Sequence, residues 1–98
     1  MQQATSPTKI RIELPEALRP LADGAACVNG RGFTVAEVLT DIGHSHPPLV
    51  NRILTRGGGL RPHVKLFVNQ SDIRQRDGLE TRLVESDVLL VVPSVAGG

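Results

Sequence analysis

The amino-acid sequence predicts a small α+β domain in which one main helix packs across a mixed sheet of four to five strands. Three observations lead to this prediction. Residues 9–14 alternate between charged and apolar side chains, as in a strand with one buried face. Residues 34–42 combine a capping box with apolar residues at helical spacing. Residues 88–92 are apolar throughout, which is typical of a central strand.

Two strands are predicted before the main helix. In the first, residues 9–14, the apolar side chains share one face, and Pro15 ends the strand. A second short strand is predicted at residues 25–29. Residues 30–32, Gly-Arg-Gly, are then expected to turn the chain towards the helix. The two strands would form the first hairpin of the sheet.

The main helix has the clearest local signals. Thr34 and Glu37 form a capping box, in which the threonine hydroxyl accepts from the Glu37 amide and the glutamate reaches back to the Thr34 amide. Phe33 and Val38 have the spacing of a hydrophobic staple. The apolar positions on one face of the helix are Val35, Val38, Leu39 and Ile42. Gly43 is expected to end the helix in the left-handed cap position.

Shorter elements are predicted in the middle of the chain. Pro47 can open a second short helix, because proline is favoured in the first helical turn. The three glycines of residues 57–59 indicate a flexible break. A strand is predicted at residues 64–68, with Phe67 as its core anchor.

The last elements complete a recognisable order. Ile73 is expected to begin a brief strand, and Leu79 and Leu83 to lie in a single helical turn. Residues 88–92 form the last strand, which Pro93 ends. A first hairpin, a helix across the sheet and a last strand in its middle make a β-grasp, or ubiquitin-like, roll.

Length and composition indicate one small folded domain in a reducing compartment. The 98 residues suffice for a single domain, expected at residues 9–93 between flexible tails at residues 1–8 and 94–98. The single cysteine excludes an intramolecular disulfide and a cysteine-ligated zinc site. No segment resembles a signal peptide or a membrane span. A cytoplasmic protein without a membrane partner is therefore expected.

Charge and aromatic content argue against nucleic-acid binding. Eleven basic and ten acidic side chains leave a net charge of +1, whereas a phosphate-binding protein needs a clear basic excess. Two aromatic residues are too few for a base-stacking platform. No nucleic-acid partner is expected.

Few residues suggest catalysis or metal binding. No nucleophile lies beside a plausible base, and no phosphate-binding loop is present. His44 and His46 are expected to be solvent-exposed loop residues, and Cys27 a small core residue. Six arginines fall into two runs that either form solvated surface or steer an acidic partner. They are Arg52, Arg56, Arg61, Arg74, Arg76 and Arg82. No catalytic residue and no metal ligand is predicted.

The end of the sequence is its most informative segment. Gly97 and Gly98 have no Cβ, so a chain ending there can pass through a narrow channel. From Ser94 to Gly98 an extended chain reaches about 17 Å. Gly98 can therefore be placed in a partner's active site while the domain stays outside. The diglycine follows the predicted central strand after only four residues, which makes it more than a frayed end.

The last strand has more apolar residues than one buried face requires. Leu89 and Val91 point to the face opposite that of the other three strand residues, and one of the two sets should pack under the helix. The second set could form a small exposed patch for a partner. The candidates for partner contacts are Leu89, Val91, Pro93 and Val95.

From residue 64 onward the sequence follows a family pattern. The matching positions are Val68, Asn69, Asp72, Ile73, Arg74, Gly78, Leu79, Asp87, the apolar strand, Pro93 and residues 95–98. This pattern resembles the ThiS/MoaD family of ubiquitin-like sulfur carrier proteins. The Pro-x-Val-Ala-Gly-Gly ending is most similar to that of the CysO-type carriers of cysteine biosynthesis. The element order extends the resemblance back to residue 9.

The resemblance implies that Gly98 is the reacting residue. An adenylating enzyme of the ubiquitin-activating type would thread Ala96 and Gly97 and use ATP to convert the Gly98 carboxylate to an acyl-adenylate. A sulfur donor would displace AMP and leave a thiocarboxylate. A second enzyme would then use the sulfur for cysteine, molybdopterin, thiamin or a secondary metabolite. The chain would be a protein cosubstrate, without a bound cofactor.

Two other classes of function fit the same residues. A ubiquitin-like modifier would be joined to lysines through the activated Gly98. A β-grasp binding module would have an incidental diglycine.

Overall fold

Five strands form one mixed sheet in the computed structural model, which describes residues 7–93. They are β1 (Thr8–Glu13), β2 (Cys27–Gly32), β3 (Val64–Val68), β4 (Ser71–Asp72) and β5 (Val88–Pro93). Their order is β2-β1-β5-β3-β4. β1 and β5 are parallel, and the other neighbouring strands are antiparallel. The predicted mixed sheet, with the last strand in its centre, is confirmed.

Two helices lie on one face of the sheet, called here the inner face. They are α1 (Val35–Ser45) and α2 (Pro47–Ile53), as the helical spacing and Pro47 predicted. Three 3₁₀ turns connect the other elements, at Glu16–Ala22, Ile73–Gln75 and Gly78–Glu80. The four apolar positions predicted for the main helix are all buried. The inner side chains of the sheet that pack in the same core are Ile10, Ile12, Val28, Val64, Leu66, Val68, Leu89 and Val91.

The capping box forms with one difference from the sequence prediction. The Glu37 amide donates to Thr34 Oγ1 at 3.2 Å, as predicted. The Glu37 carboxylate accepts from the amide of Phe33 at 2.8 Å rather than from that of Thr34. Both contacts provide an acceptor for an amide at the start of the helix that has no backbone carbonyl partner there.

The Gly-Arg-Gly segment was wrongly predicted as a turn. Gly30 and Gly32 belong to β2, opposite Ile10 and Thr8 of β1. A Cβ on Gly30 would lie 2.7 Å from Cγ1 of Ile42, and one on Gly32 would lie 2.7 Å from the Val38 nitrogen. The glycines therefore let α1 pack directly on the β2 backbone. β2 consequently runs to Gly32 instead of ending at residue 29.

Gly43 was wrongly predicted to end the main helix. The helix continues to Ser45, and the His46 amide closes it by donating to the Ile42 carbonyl at 2.8 Å. A Cβ on Gly43 would come within 3.7 Å of the Val50 side chain, an ordinary packing distance. Gly43 therefore lies where the side chain of the following helix packs against α1.

Phe67 was wrongly predicted as the core anchor of its strand. Alternation along β3 directs Val64, Leu66 and Val68 inward, which leaves Phe67 half-buried on the opposite, outer face. Ile73 is fully buried but begins a 3₁₀ turn instead of a strand. Its turn forms because the Asp72 carboxylate accepts from the Arg74 amide at 2.8 Å.

Candidate functional site

The sequence predicts that the reacting group lies after β5. The predictions for Val95, Ala96, Gly97 and Gly98 lie outside the described residues. The described chain ends at Pro93, which is half-buried and pairs with Val64 at the start of β3. The site can therefore be built from β5 and from its two ends.

The two faces of β5 have different surroundings. Leu89 and Val91 are 0% and 1% exposed and pack in the core. The prediction that these two contact a partner is wrong, because the helices cover the inner face of the sheet. Val88 and Val92 are half-buried on the outer face, and between them Leu90 is 40% exposed.

The outer side of β5 continues into β3 as one apolar surface. Leu90 pairs with Phe67, so their side chains are cross-strand neighbours on the same face. The outer apolar patch consists of Phe67, Val88, Leu90 and Val92. The described residues leave it partly open, since Leu90 is 40% exposed and the other three side chains are only half-buried. An uncovered apolar patch on an otherwise polar sheet face is typical of an interaction site.

Charged side chains border this patch. Lys65 pairs with Val92 on one side, and Arg11 pairs with Val88 on the other. Arg11 also forms an exposed ion pair with Glu13 at 3.0 Å. A shallow depression beside Leu90 is lined by Arg11, Glu13, Leu14, Arg19, Ala26 and Cys27. The outer face thus combines an apolar centre with a polar and mostly basic border.

The start of β5 is held by a hydrogen-bonded clamp. Asn69, with a left-handed φ of 58°, accepts from the Val88 amide through its side-chain oxygen at 3.0 Å. Its side-chain nitrogen donates to one oxygen of Asp87 at 2.8 Å. The other Asp87 oxygen accepts from the Val84 amide at 2.8 Å. Asn69 and Asp87 both belong to the family pattern of the sequence, and the structure shows that they hold the central strand.

The end of β5 lies beside a second set of contacts. Arg74 donates to the Val64 carbonyl at 3.0 Å and to the Arg61 carbonyl at 3.2 Å. Arg61 in turn donates to the Asn51 carbonyl at 2.8 Å. Arg61 and Arg74, which belong to the predicted arginine runs, therefore hold neighbouring segments together through hydrogen bonds to backbone carbonyls. These contacts lie beside β3, the strand that pairs with Pro93.

The remaining candidate residues form no site. His44 lies within α1, 4.0 Å from the Asp41 carboxylate, because the helix is longer than predicted. Cys27 is half-buried on the outer face, so its prediction as a core residue is wrong. The alternation of β2 directs Val28 inward instead. In the described range 7–93, no three His, Cys, Asp or Glu side chains are arranged to hold a metal ion.

Fold and site together define a class of protein. A domain whose last strand lies at the centre of the sheet and leads into a diglycine has the plan of the ubiquitin-like carriers. The model of the ThiS family matches residues 12–98. The chain belongs to the ThiS family.

Individual relatives agree with this membership. The sulfur carrier protein CysO of Mycobacterium tuberculosis is 30% identical over 91 residues, covering 91% of this chain and 98% of that protein. A chain in the crystal structure of the Amycolatopsis orientalis BexX/CysO complex is 31% identical with a TM-score of 0.83, covering 91% of this chain and 99% of that one. The small archaeal modifier protein 1 of Methanosarcina acetivorans is 28% identical with a TM-score of 0.82, covering 97% and 100%. The β-grasp fold is confirmed by these structures.

Among residues 7–93, no helix has both the length and the apolar character needed to cross a bilayer.

Proposed function

We propose that the chain is a sulfur carrier whose carboxyl-terminal Gly98 is converted to a thiocarboxylate. The main supporting observation is the continuity of β5 with the diglycine: the central strand ends at Pro93, and residues 94–98 follow directly. The family match that includes these residues supports the same reading. No catalytic residue of this chain takes part in the reaction.

The proposed reaction needs an external activating enzyme. The Gly98 carboxylate is a poor electrophile, so one of its oxygens attacks the α-phosphorus of ATP and pyrophosphate leaves. The resulting acyl-adenylate has AMP as a good leaving group. Sulfide, the simplest sulfur donor, attacks the carbonyl carbon, the bond to AMP breaks, and loss of the sulfur-bound proton leaves a thiocarboxylate on Gly98. ATP is bound by the partner enzyme, and this chain holds no cofactor.

The activating enzyme is proposed to dock on the outer face of the sheet. This assignment replaces the contact candidates Leu89 and Val91, which are buried, by the outer apolar patch of Phe67, Val88, Leu90 and Val92. Pro93 stays a candidate because it is half-buried at the end of the strand. From there an extended stretch of five residues reaches about 17 Å, which carries Gly98 away from the docked domain.

A second enzyme is proposed to use the sulfur. The Amycolatopsis orientalis CysO was crystallised with BexX, which shows that one relative forms a complex with another protein. By analogy, this carrier is proposed to pass between an activating enzyme and a sulfur-using enzyme. CysO similarity favours cysteine biosynthesis, and molybdopterin, thiamin and secondary-metabolite synthesis are the alternatives.

The decisive experiment combines the purified chain with its cognate adenylating enzyme, ATP and sulfide. We expect release of AMP and pyrophosphate, and an intact mass higher by the difference between sulfur and oxygen. A Gly98 deletion is the matched control, because its carboxylate stops one residue short, about 3.4 Å from the reactive position. Absence of AMP release with the unmodified chain would leave only the binding-module function.

A protein modifier is the second candidate function. The similarity to small archaeal modifier protein 1 favours it. The same activated Gly98 would then be joined to lysine amines of other proteins. Mass spectrometry of the cellular protein separates the two functions, since a modifier appears in larger covalent adducts and a sulfur carrier as the free thiocarboxylate.

A further inference from the structure

Charge is unevenly distributed over the sheet. The outer face carries four basic side chains, Lys9, Arg11, Arg31 and Lys65. The strand positions of this face have two acidic side chains, Glu13 and Asp72, and both are engaged, one in the ion pair with Arg11 and one with the Arg74 amide. Four positive and two negative charges give the strand positions of this face an excess of +2, whereas the whole chain has +1. The rest of the chain must therefore be slightly acidic.

Two of these cations are direct neighbours across the sheet and have no ion-pair partner among the described residues. Lys9 of β1 is the direct cross-strand partner of Arg31 of β2. Like charges in directly opposed positions destabilise a sheet. Both residues line a surface depression with Glu85, yet neither forms an ion pair with any carboxylate among the described residues. Their presence is explained if an external group neutralises them.

The cations also surround the outer apolar patch. Lys65 is next to Val92 on the β3 side, and Arg11 is next to Val88 on the β1 side. Lys9 lies two residues before Arg11 on the same face. The patch is therefore enclosed by positive charge on both sides of β5, as in an interface with an apolar centre and a charged rim.

We infer that the partner of this face is a protein surface with an apolar centre and a rim of carboxylates. The inference rests on the proposed function, because that function identifies the outer face as the docking face of the activating enzyme. A second copy of the chain does not fit, since two basic faces repel each other. A nucleic acid fits poorly, because the centre of the face is apolar and a single aromatic side chain, Phe67, lies there.

Charge reversal on and off the face tests the inference. Lys65→Glu and Arg31→Glu each change the net charge by −2 on the outer face. Arg52→Glu makes the same change on α2, on the opposite side of the sheet, where Arg52 is exposed. All three positions are exposed, so stability is expected to change little.

The measurement is the association rate with the cognate adenylating enzyme, without ATP, at low and at physiological salt. We expect each outer-face variant to associate roughly 10-fold more slowly at low salt, and added salt to slow the unmodified chain. Arg52→Glu should stay within about twofold of the unmodified chain. Equal effects of all three variants, or a rate that does not depend on salt, would overturn the inference. So would association with nucleic acid, or self-association, that the outer-face variants abolish.

The lysine content provides an independent readout. Lys9 and Lys65 are the only lysines in the chain, and both belong to the outer face on opposite sides of β5. Amine acetylation followed by peptide mass spectrometry should show both lysines protected in the complex and reactive in the free chain. Two lysines that stay fully reactive in the saturated complex would contradict docking on this face.

Failure of the inference can be told apart from failure of the proposed function. If AMP is released but association is insensitive to charge, the function stands and the acidic partner surface is wrong. If the enzyme binds in a charge-dependent way without AMP release, the surface stands and the activation of Gly98 is wrong.

Discussion

The two faces of β5 both consist of apolar residues but differ in burial. Leu89 and Val91 lie under the helices, fully buried. Leu90, between them in sequence, is 40% exposed on the opposite face. In β1 the corresponding faces are chemically different, since isoleucines alternate with charged residues. Alternation therefore identifies the inner face of β1 directly, whereas the uniform apolar run of β5 leaves both orientations open.

This comparison separates residues that stabilise the domain from residues proposed to act on partners. The inner residues of β5 belong to one core with α1 and β3. The outer residues are proposed to act in docking, and the segment after Pro93 in activation. Substitutions on the two sides should therefore change different measured quantities.

The largest expected effect is the loss of activation caused by a substitution in the segment after β5. Gly97→Val should abolish ATP-dependent thiocarboxylate formation, because a β-branched side chain widens the chain and restricts its φ in a channel fitted to glycine. The melting temperature should stay the same, since the sequence places residue 97 outside the core.

Gly57→Val is the matched control for this prediction. A Cβ at Gly57 has only the Thr55 hydroxyl nearby, at 3.9 Å, so the same substitution fits there without contact to the strand. This variant should be activated normally. Normal activation of folded Gly97→Val, measured in the same assay, would contradict the carrier function of this terminus.

The second prediction compares neighbouring leucines of β5. Leu89→Ala removes a fully buried side chain and should lower the free energy of unfolding by about 2–5 kcal/mol. Leu90→Ala removes a side chain that is already 40% exposed, so the loss should be below about 1 kcal/mol. Urea denaturation measures both.

For binding to the adenylating enzyme, we expect Leu90→Ala to have the larger effect and Leu89→Ala the smaller one. Leu90→Ala is expected to weaken association with the adenylating enzyme by about tenfold, as loss of a contact near the centre of an interface does. Folded Leu89→Ala should bind within a few-fold of the unmodified chain. Equal binding of both variants would show that the outer apolar patch is not the docking surface.

The third prediction concerns the contact between β2 and α1. Gly30→Ala places a Cβ 2.7 Å from Cγ1 of Ile42 and 2.8 Å from the Val38 carbonyl oxygen, so the helix must shift. We expect a loss of about 1–3 kcal/mol in the free energy of unfolding. Gly57→Ala, in open space without a left-handed φ, should be neutral or stabilising by up to about 1 kcal/mol. Thermal denaturation of the two variants gives the comparison, and similar values would mean that α1 does not lie against β2.

The smallest expected effect is at the start of α1. Thr34→Ala removes the hydroxyl that accepts from the Glu37 amide and should cost about 1 kcal/mol of stability. Thr34→Ser keeps the acceptor and serves as the control. Activation by the partner enzyme should be the same in both variants, because the cap lies on the helical side of the sheet. A change in activation without a change in stability would show that this side also contacts the enzyme.

The sequence by itself determined the features that depend on local spacing. The capping box, the apolar face of α1, the alternation of β1 and the apolar run of β5 are all properties of neighbouring residues. Their order along the chain was enough for the β-grasp topology. The family pattern and the diglycine are likewise properties of the sequence, and they are sufficient to propose Gly98 as the reacting residue.

Tertiary structure alone decided the orientation of residues whose local pattern is ambiguous. The glycine content of residues 30–32 is typical of a turn. In the structure Gly30 and Gly32 lie in β2, where α1 packs too closely for a side chain. Phe67 is the largest apolar residue of β3, yet its register opposite Leu90 places it on the outer face. Both outcomes depend on contacts between segments far apart in sequence, which local spacing does not encode. For the same reason the outer apolar patch, its basic border and the clamp by Asn69 became apparent only when the strands were paired.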